Sequence, residues 1–284
     1  MANIAPTAFV DPRAEIGRDV VIEHGCFVAP HVVLGDGCHL LPHVTILGKT
    51  QIGARNVFYP TAVIGAAPQD LKYKGTDTRL IIGDDNIFRE HVTVHVGTEN
   101  GGGVTTIGSH NQFQVGTHVA HDSHVGSHCV LSNSVQVAGH VHIEDHVNIS
   151  GLVGIQQFVT VGRYSFIAGA TRCTMDVPPF LIFAGFEGGV VSVNDEGMRR
   201  WGFDDDQIAR IWKLYKLLYP KKADRAGSTI ADRIAQAESN GPLDDQQRYL
   251  LDFIKRSVTA GVCGRYLESR RRDGSLPPPP FYSR

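Results

Sequence analysis

Between positions 91 and 140 the chain carries eight histidines: His91, His95, His110, His118, His121, His124, His128 and His140. Imidazole does two kinds of chemistry near neutral pH: it ligates transition metals, and it accepts and returns protons. Zinc takes three or four N, S or O ligands in a tetrahedral array, so the density of rings alone admits a metal centre. Spacing sorts the set further. Asp122, a carboxylate suited to orienting an imidazole, follows His121; Gly139 lies 18 residues on with His140 beside it, and Gln157 lies a further 18 on. If residues 18 apart share one edge of the fold, that edge presents a base, a peptide N–H unobstructed by a side chain, and an amide side chain. An imidazole poised near the working pH takes a proton from a hydroxyl. An open N–H holds the charge that develops on a carbonyl oxygen during acyl transfer. With no serine or cysteine marked as a nucleophile, the set points to direct acyl transfer to an alcohol, without a covalent intermediate.

The element that must deliver this edge is written in the aliphatic residues. Steps of six from Ile4 read Ile4, Val10, Ile16, Ile22, Val28, Leu34, Leu40, Ile46, Ile52, Phe58 and Ile64. The frame resumes at Ile82, Phe88 and Val94, then restarts at Ile107 and runs in sixes to Ile167 without a polar residue. A helix requires a period near 3.6 and a two-sided strand a period of 2, so a period of six means short strands joined by repeated corners. Gly17, Gly53, Gly83, Gly108, Gly126 and Gly162 follow the aliphatic position, where a small residue is expected to suit a tight turn. The fold class is therefore mainly β, a parallel β-helix of hexapeptide repeats. The breaks near 66–80 and 96–105 are expected to project as loops, where function concentrates.

After about residue 190 the period is lost. Ile208, Ile211, Trp212, Tyr215 and Leu218 have the spacing of an amphipathic helix, preceded by aspartates that suit its positive N-terminal end. Further helices are expected near 228–238 and 243–270, the latter opened by Pro242 and acidic residues, and the run of prolines near the end reads as an extended tail. The chain thus divides into a β-helix at 1–190, a small α-helical domain at 191–276 and a Pro-rich tail at 277–284.

Charge follows that division. Residues 1–198 hold 10 Lys/Arg against 18 Asp/Glu, whereas residues 199–284 hold 17 against 11. The basic C-terminal part suits an acidic protein partner, and without a recognised motif nucleic acid is not expected. Apolar runs fall far short of the roughly 20 residues of a membrane span. The beginning of the chain lacks a basic segment followed by an apolar stretch. Five cysteines, Cys26, Cys38, Cys129, Cys173 and Cys263, contain no CxxC pair. An odd number argues for a reducing compartment, and the expected location is cytoplasmic.

The six-residue period resembles that of the left-handed β-helix acyltransferases, in which three hexads make one triangular coil and residues 18 apart stack about one strand spacing, ~4.8 Å, apart. The strings GAAPQDLKYKG, GTHVAHDSHVG, VAGHV, IQQF, DVPPF and NDEGMRRWGF, in that order, resemble the UDP-N-acetylglucosamine O-acyltransferase family of lipid A biosynthesis. The resemblance implies transfer of a 3-hydroxyacyl group from acyl carrier protein to the 3-hydroxyl of UDP-N-acetylglucosamine, the first step of that pathway. It implies a homotrimer with sites between adjacent chains, and neither metal nor cofactor. His121 matches the general base, Asp122 its orienting residue and Gly139 the backbone oxyanion donor. His95, His118, His140 and Gln157 match residues around the nucleotide sugar and the base. Asp70 and Lys72 match a loop that grips substrate from a neighbouring subunit, and Asn194, Glu196 and Arg200 match contacts to uridine and phosphate. Gly169 matches the position that limits acyl length, where a glycine leaves room for a longer chain. Two positions depart from the family: Gln156 stands where His is usual, and Val96 where Arg is usual. These departures keep other readings open: a related transferase with a 3-amino nucleotide sugar or an acylated glucosamine as acceptor, or a paralogue that binds without turnover. The histidines also keep open a zinc protein like the gamma-class carbonic anhydrases, which needs neither the QDLKY loop nor the helices.

Overall fold

The computed structural model describes residues 1–221, 227–259, 261 and 263–272; the tail expected at 277–284 lies outside the described residues. Most hexads contribute a strand of only two residues, paired in parallel with the strand 18 residues further on: Asn3 opposite Val21, Phe9 opposite Phe27, Glu15 opposite Val33. Among the described residues this builds three sheets of eleven, nine and eight strands, wound as a left-handed parallel β-helix. The hexad aliphatics point inward once per face, and from Ile22 to Ile167 and on to Cys173 they form one buried core. Phe58, Phe88 and Phe113 stack in a column at 4.9 Å spacing. In the first coil of the described residues Ile4 is exposed and Val10 and Ile16 are half-buried.

The corners pass through the left-handed backbone region, with φ +64° at His31 and His43, +60° at His91 and His110, +59° at His128 and +62° at His140 and His146. That conformation costs a non-glycine residue roughly 1–2 kcal/mol. Ring stacking offsets part of it: His110, His128, His146 and Tyr164 stack face to face at 4.8, 5.0 and 4.6 Å, and Trp201 lies across His146 at 4.1 Å. Much of the histidine density is therefore corner packing. The glycines after the aliphatics serve a purpose other than the expected turn. A Cβ on Gly53 would lie 2.8 Å from the carbonyl of Gly83, and one on Gly108 would lie 2.7 Å from the Gly126 oxygen. Successive coils approach too closely there for a methyl group.

The pairing offset rises from 18 to 30 between Lys49 and Arg79 and is 25 between Arg79 and Val104. Residues 67–78 and 96–103 leave the coil and return, so the wall is interrupted twice on the same side. Beyond the last coil a hairpin, Leu181–Ala184 with Gly189–Val193, leads into the helices. Five are present among the described residues: α1 Asp195–Arg200, α2 Asp205–Leu218, α3 Ile230–Ser239, α4 Asp245–Thr259 and α5 Tyr266–Arg272. Capping boxes start α2 at Asp204 and α3 at Thr229. The single helix expected over 243–270 is two: α4 stops at Thr259, and before α5 begins at Tyr266 the chain passes through Cys263 and Gly264 with φ of +51° and +72°, outside the helical region. α2 buries Ile208, Ile211, Leu214 and Leu218 in a second core shared with Phe180 and with Leu181 and Val193 of the hairpin. Among the described residues no helix is long and apolar enough to cross a membrane.

Candidate active site

His121 sits at the corner after the strand His118–Val119, and Asp122 completes that corner with φ +58°. Asp122 Oδ2 accepts from His121 Nδ1 at 2.8 Å. This fixes the imidazole tautomer so that Nε2 remains as the proton acceptor. The carboxylate is itself held by the 96–103 loop: Thr98 N–H donates to Oδ1 at 2.9 Å and the Thr98 hydroxyl donates to Oδ2 at 2.6 Å. Burial alone would push the Asp122 carboxyl up; the hydrogen bond from His121, then those from Thr98, outweigh it and hold the carboxyl below its usual range. It stays ionised, and with Asp122 only 2% exposed its charge acts on His121 with little screening.

Gly139 faces that imidazole one coil on. A Cβ at Gly139 would lie 2.6 Å from His121 Cε1 and 2.8 Å from Nε2, so only glycine brings a peptide this close to the ring. His140 lies edge-on to His121 at 5.2 Å and stacks on Phe158 at 4.6 Å. His118 is tied to Thr93 through Nδ1 at 2.7 Å, and His95 meets it edge-on at 4.7 Å. Burial, aided by the neighbouring His118 and His121, pushes His95 down to about 4, so this ring is neutral at physiological pH. Burial lowers His118 as well.

These groups open onto a cavity of about 710 Å³. Of the expected site residues, His95, His118, His121, Gly139, Gln156 and Gln157 line it, with Asp122 and His140 immediately behind. Sequence reasoning missed Gln69, Gln136, Arg172 and Thr174 on the same wall. Gln136 and Arg172 follow His118 in the register of one sheet, through Gly154, so the 18-residue rule already placed them there. It also missed Thr98, which sits in the aperiodic loop where no rule of spacing applies.

The other expected residues lie off this wall within one chain. Asp70 accepts from the N–H of Lys72 at 3.0 Å inside the 67–78 loop. Gly169 has space for a side chain, its nearest neighbour being Gly151 O at 3.5 Å from a built Cβ. Asn194 caps α1, accepting from Gly197 N–H at 3.2 Å and donating to Tyr164 O at 2.8 Å. Glu196 and Arg200 form an exposed pair at 3.2 Å on the same helix.

Among the described residues, His121, Asp122 and His140 bring ligand atoms within 4.8 Å of one another, the spacing a metal ion would use. The carboxylate already receives three hydrogen bonds from Thr98 and His121, and in this arrangement Asp122 is an acceptor for the base. The nearby Ser123 hydroxyl is buried and donates to Ala138 O at 2.9 Å, so it is not presented as a nucleophile. The arrangement is thus a carboxylate-oriented base beside a peptide bare of any side chain on a hexapeptide-repeat coil, the equipment of a β-helix acyltransferase.

Comparison with known proteins agrees. Residues 176–263 match the family model described as UDP-N-acetylglucosamine O-acyltransferase, domain 2. An acyl-[acyl-carrier-protein]–UDP-N-acetylglucosamine O-acyltransferase of Anaeromyxobacter sp. is 41% identical over 252 residues, 89% of this chain and 96% of that protein. The crystal structure of LpxA, a UDP-N-acetylglucosamine acyltransferase from Bacteroides fragilis, superposes with a TM-score of 0.84 at 36% identity, covering 89% and 96% of the two chains. LpxA from Acinetobacter baumannii gives 0.82 at 41% identity over 88% and 95%. The chain belongs to the acyl-[acyl-carrier-protein]–UDP-N-acetylglucosamine O-acyltransferase family.

Proposed function

We propose that this chain transfers a 3-hydroxyacyl group from acyl carrier protein to the 3-hydroxyl of UDP-N-acetylglucosamine, the first step of lipid A biosynthesis. The observation that carries the reading is His121, held through Nδ1 by Asp122 and opposed by the Gly139 peptide at the mouth of the cavity. His121 Nε2 takes the proton of the sugar hydroxyl as its oxygen bonds to the thioester carbonyl carbon. The carbonyl oxygen gathers negative charge against the Gly139 N–H. The carbon–sulfur bond then breaks, and the departing thiolate takes the proton from His121.

In this reading His95, His118, His140, Gln156 and Gln157 surround the sugar. Because Asp70, Lys72, Asn194, Glu196 and Arg200 lie off the His121 wall in one chain, the reading has them complete the site across a homotrimer boundary. Arg200 is suited to bidentate phosphate binding. Gly169 admits a longer acyl chain. The excess of Lys/Arg in residues 199–284 supports docking of an acidic carrier protein on the helical part, so that the coil of 1–190 supplies chemistry and the helices of 191–276 supply the partner surface. Five free cysteines, four of them buried, support a reducing, cytoplasmic setting.

The test is to incubate the purified protein with UDP-N-acetylglucosamine, its 3-amino analogue and a panel of acyl carrier thioesters, and to read product masses. The expected product is the 3-O-(3-hydroxyacyl) nucleotide sugar. Acylation of the amine alone would reassign the acceptor, and no product with any donor would overturn the reading.

A further inference from the structure

The loop 96–103 breaks the hexad frame beside Asp122; its Glu99 carboxylate accepts from the N–H groups of Lys74 and Thr76 in the 67–78 loop, while Thr98 and Gly101 meet the Asp122 side chain. Thr98 donates its amide to Oδ1 and its hydroxyl to Oδ2, the oxygen that also receives His121 Nδ1. The turn is closed on Thr98 itself, whose carbonyl accepts from the N–H groups of Gly101 and Gly103 at 3.1 and 2.9 Å. Gly101 packs against the Asp122 carboxylate so closely that a Cβ there would overlap it. From the coil side, the Asp122 N–H donates to the Thr105 hydroxyl at 2.8 Å. Thr98, Thr105 and Asp122 are all essentially buried.

We propose that Thr98 is a positioning residue for the base: its hydroxyl and amide lock the Asp122 carboxylate in the one orientation that fixes the His121 tautomer. The inference rests on reading His121 as the general base. A carboxylate free to rotate about its Cβ–Cγ bond would present either oxygen, at varying distance, to Nδ1. Two donors from one residue, one to each oxygen, remove that freedom before substrate arrives. Preorganisation of this kind lowers the barrier to proton transfer without touching the substrate. It also gives the aperiodic loop a purpose that a spacer of equal length, lacking Thr98 and Gly101, would not serve.

The experiment compares Thr98→Val, which keeps the amide and shape but lacks the hydroxyl, with Thr98→Ser, which restores it. Thr98→Val is expected to lower kcat by about 10–100-fold with KM for the nucleotide sugar within about twofold, and Thr98→Ser to recover most of the loss. Gly101→Ala should behave like Thr98→Val. In an Asp122→Asn background, Thr98→Val should cost nothing further, because residues acting through one another are not additive. Unchanged kcat in Thr98→Val, failure of Thr98→Ser to recover, or full additivity with Asp122→Asn would overturn the proposal. An NMR measurement on the resting protein separates it from the functional reading. The His121 Nδ1–H resonance should be sharp in the parent protein and broadened by exchange in Thr98→Val. If the parent protein transfers no acyl group, the functional reading fails while that resonance still decides whether Thr98 holds the pair.

Discussion

Gly139 stands one coil above His121, with its missing side chain directed at the imidazole: a built Cβ falls 2.6 Å from Cε1. The relationship follows from the 18-residue rung, which also lets His140 N–H donate to His121 O at 3.1 Å and so fixes the height of one corner on the next. A base and a bare peptide are brought into contact by two strands of two residues each, with no flexible segment between them.

Gly139→Ala keeps the peptide N–H but is expected to displace the His121 ring and so to lower kcat by up to about 10²–10⁴-fold, the range of a general-base contribution. The coil should survive, since the added methyl meets a side chain and not the neighbouring backbone. Steady-state kinetics together with a melting curve within a few degrees of the parent would check both halves.

The site should also assemble from more than one chain. Size-exclusion chromatography with light scattering is expected to give the mass of three chains. Mixing His121→Ala with Lys72→Ala subunits, by unfolding and refolding together, should restore part of the activity that each lacks alone. Activity absent from the mixture would place both residues in one chain's site.

Acid should weaken the fold through its buried imidazoles. Burial depresses His95 from the usual 6.5 to about 4. Between those values the unfolded chain binds a proton that the folded chain does not. The stability present above pH 6.5 is thus lost as pH falls, by up to about 3 kcal/mol at 1.36 kcal/mol per unit. His118, His124 and His142, also pushed down by burial, act in the same direction. His95→Gln should therefore lose less stability than the parent between pH 7 and pH 4.5, as read by denaturant midpoints at each pH. An equal loss in both would contradict this account.

Asp176 ties the coil to the helices. Its carboxylate accepts from Thr160 N–H at 2.8 Å in the coil, from the Ser257 hydroxyl of α4 at 2.7 Å and from Tyr266 N–H of α5 at 2.9 Å. Asp176→Ala leaves these buried donors without an acceptor and should cost about 2–4 kcal/mol, measured by denaturant unfolding. A change below about 0.5 kcal/mol would mean that the junction is held by its apolar contacts alone.

How much of this was legible in the sequence depends on periodicity. The inward residues, the corner at His121 and its neighbour Gly139 all lie on a fixed spacing, and counting by six and by 18 finds them. The same count, carried on from His118, reaches Gln136 and Arg172 on the cavity wall, but their chemistry did not single them out and they were missed. What the spacing could not give lies where it breaks. Thr98 and Gly101 act from a loop whose path is set by the contacts it makes. Asn56, Asn86 and Asn111 form a buried ladder, Asn86 N–H to Asn56 Oδ1 at 3.0 Å and Asn111 N–H to Asn86 Oδ1 at 2.9 Å, across offsets of 30 and 25 that both loops disturb. The division of the last helix was not foreseen either: α4 stops at Thr259, and the connection to α5 runs through left-handed backbone at Cys263 and Gly264. Histidine density was the misleading signal, since His110, His128 and His146 are stacked corners.

The most direct test is acyl transfer by the parent protein and by His121→Ala, with a 3-hydroxyacyl carrier thioester and UDP-N-acetylglucosamine, followed as product mass over time. The parent protein is expected to form the singly acylated nucleotide sugar, and His121→Ala to form it about 10²–10⁴-fold more slowly with its fold and substrate binding retained. Near-parental turnover in His121→Ala would remove the imidazole from the chemistry and contradict the account.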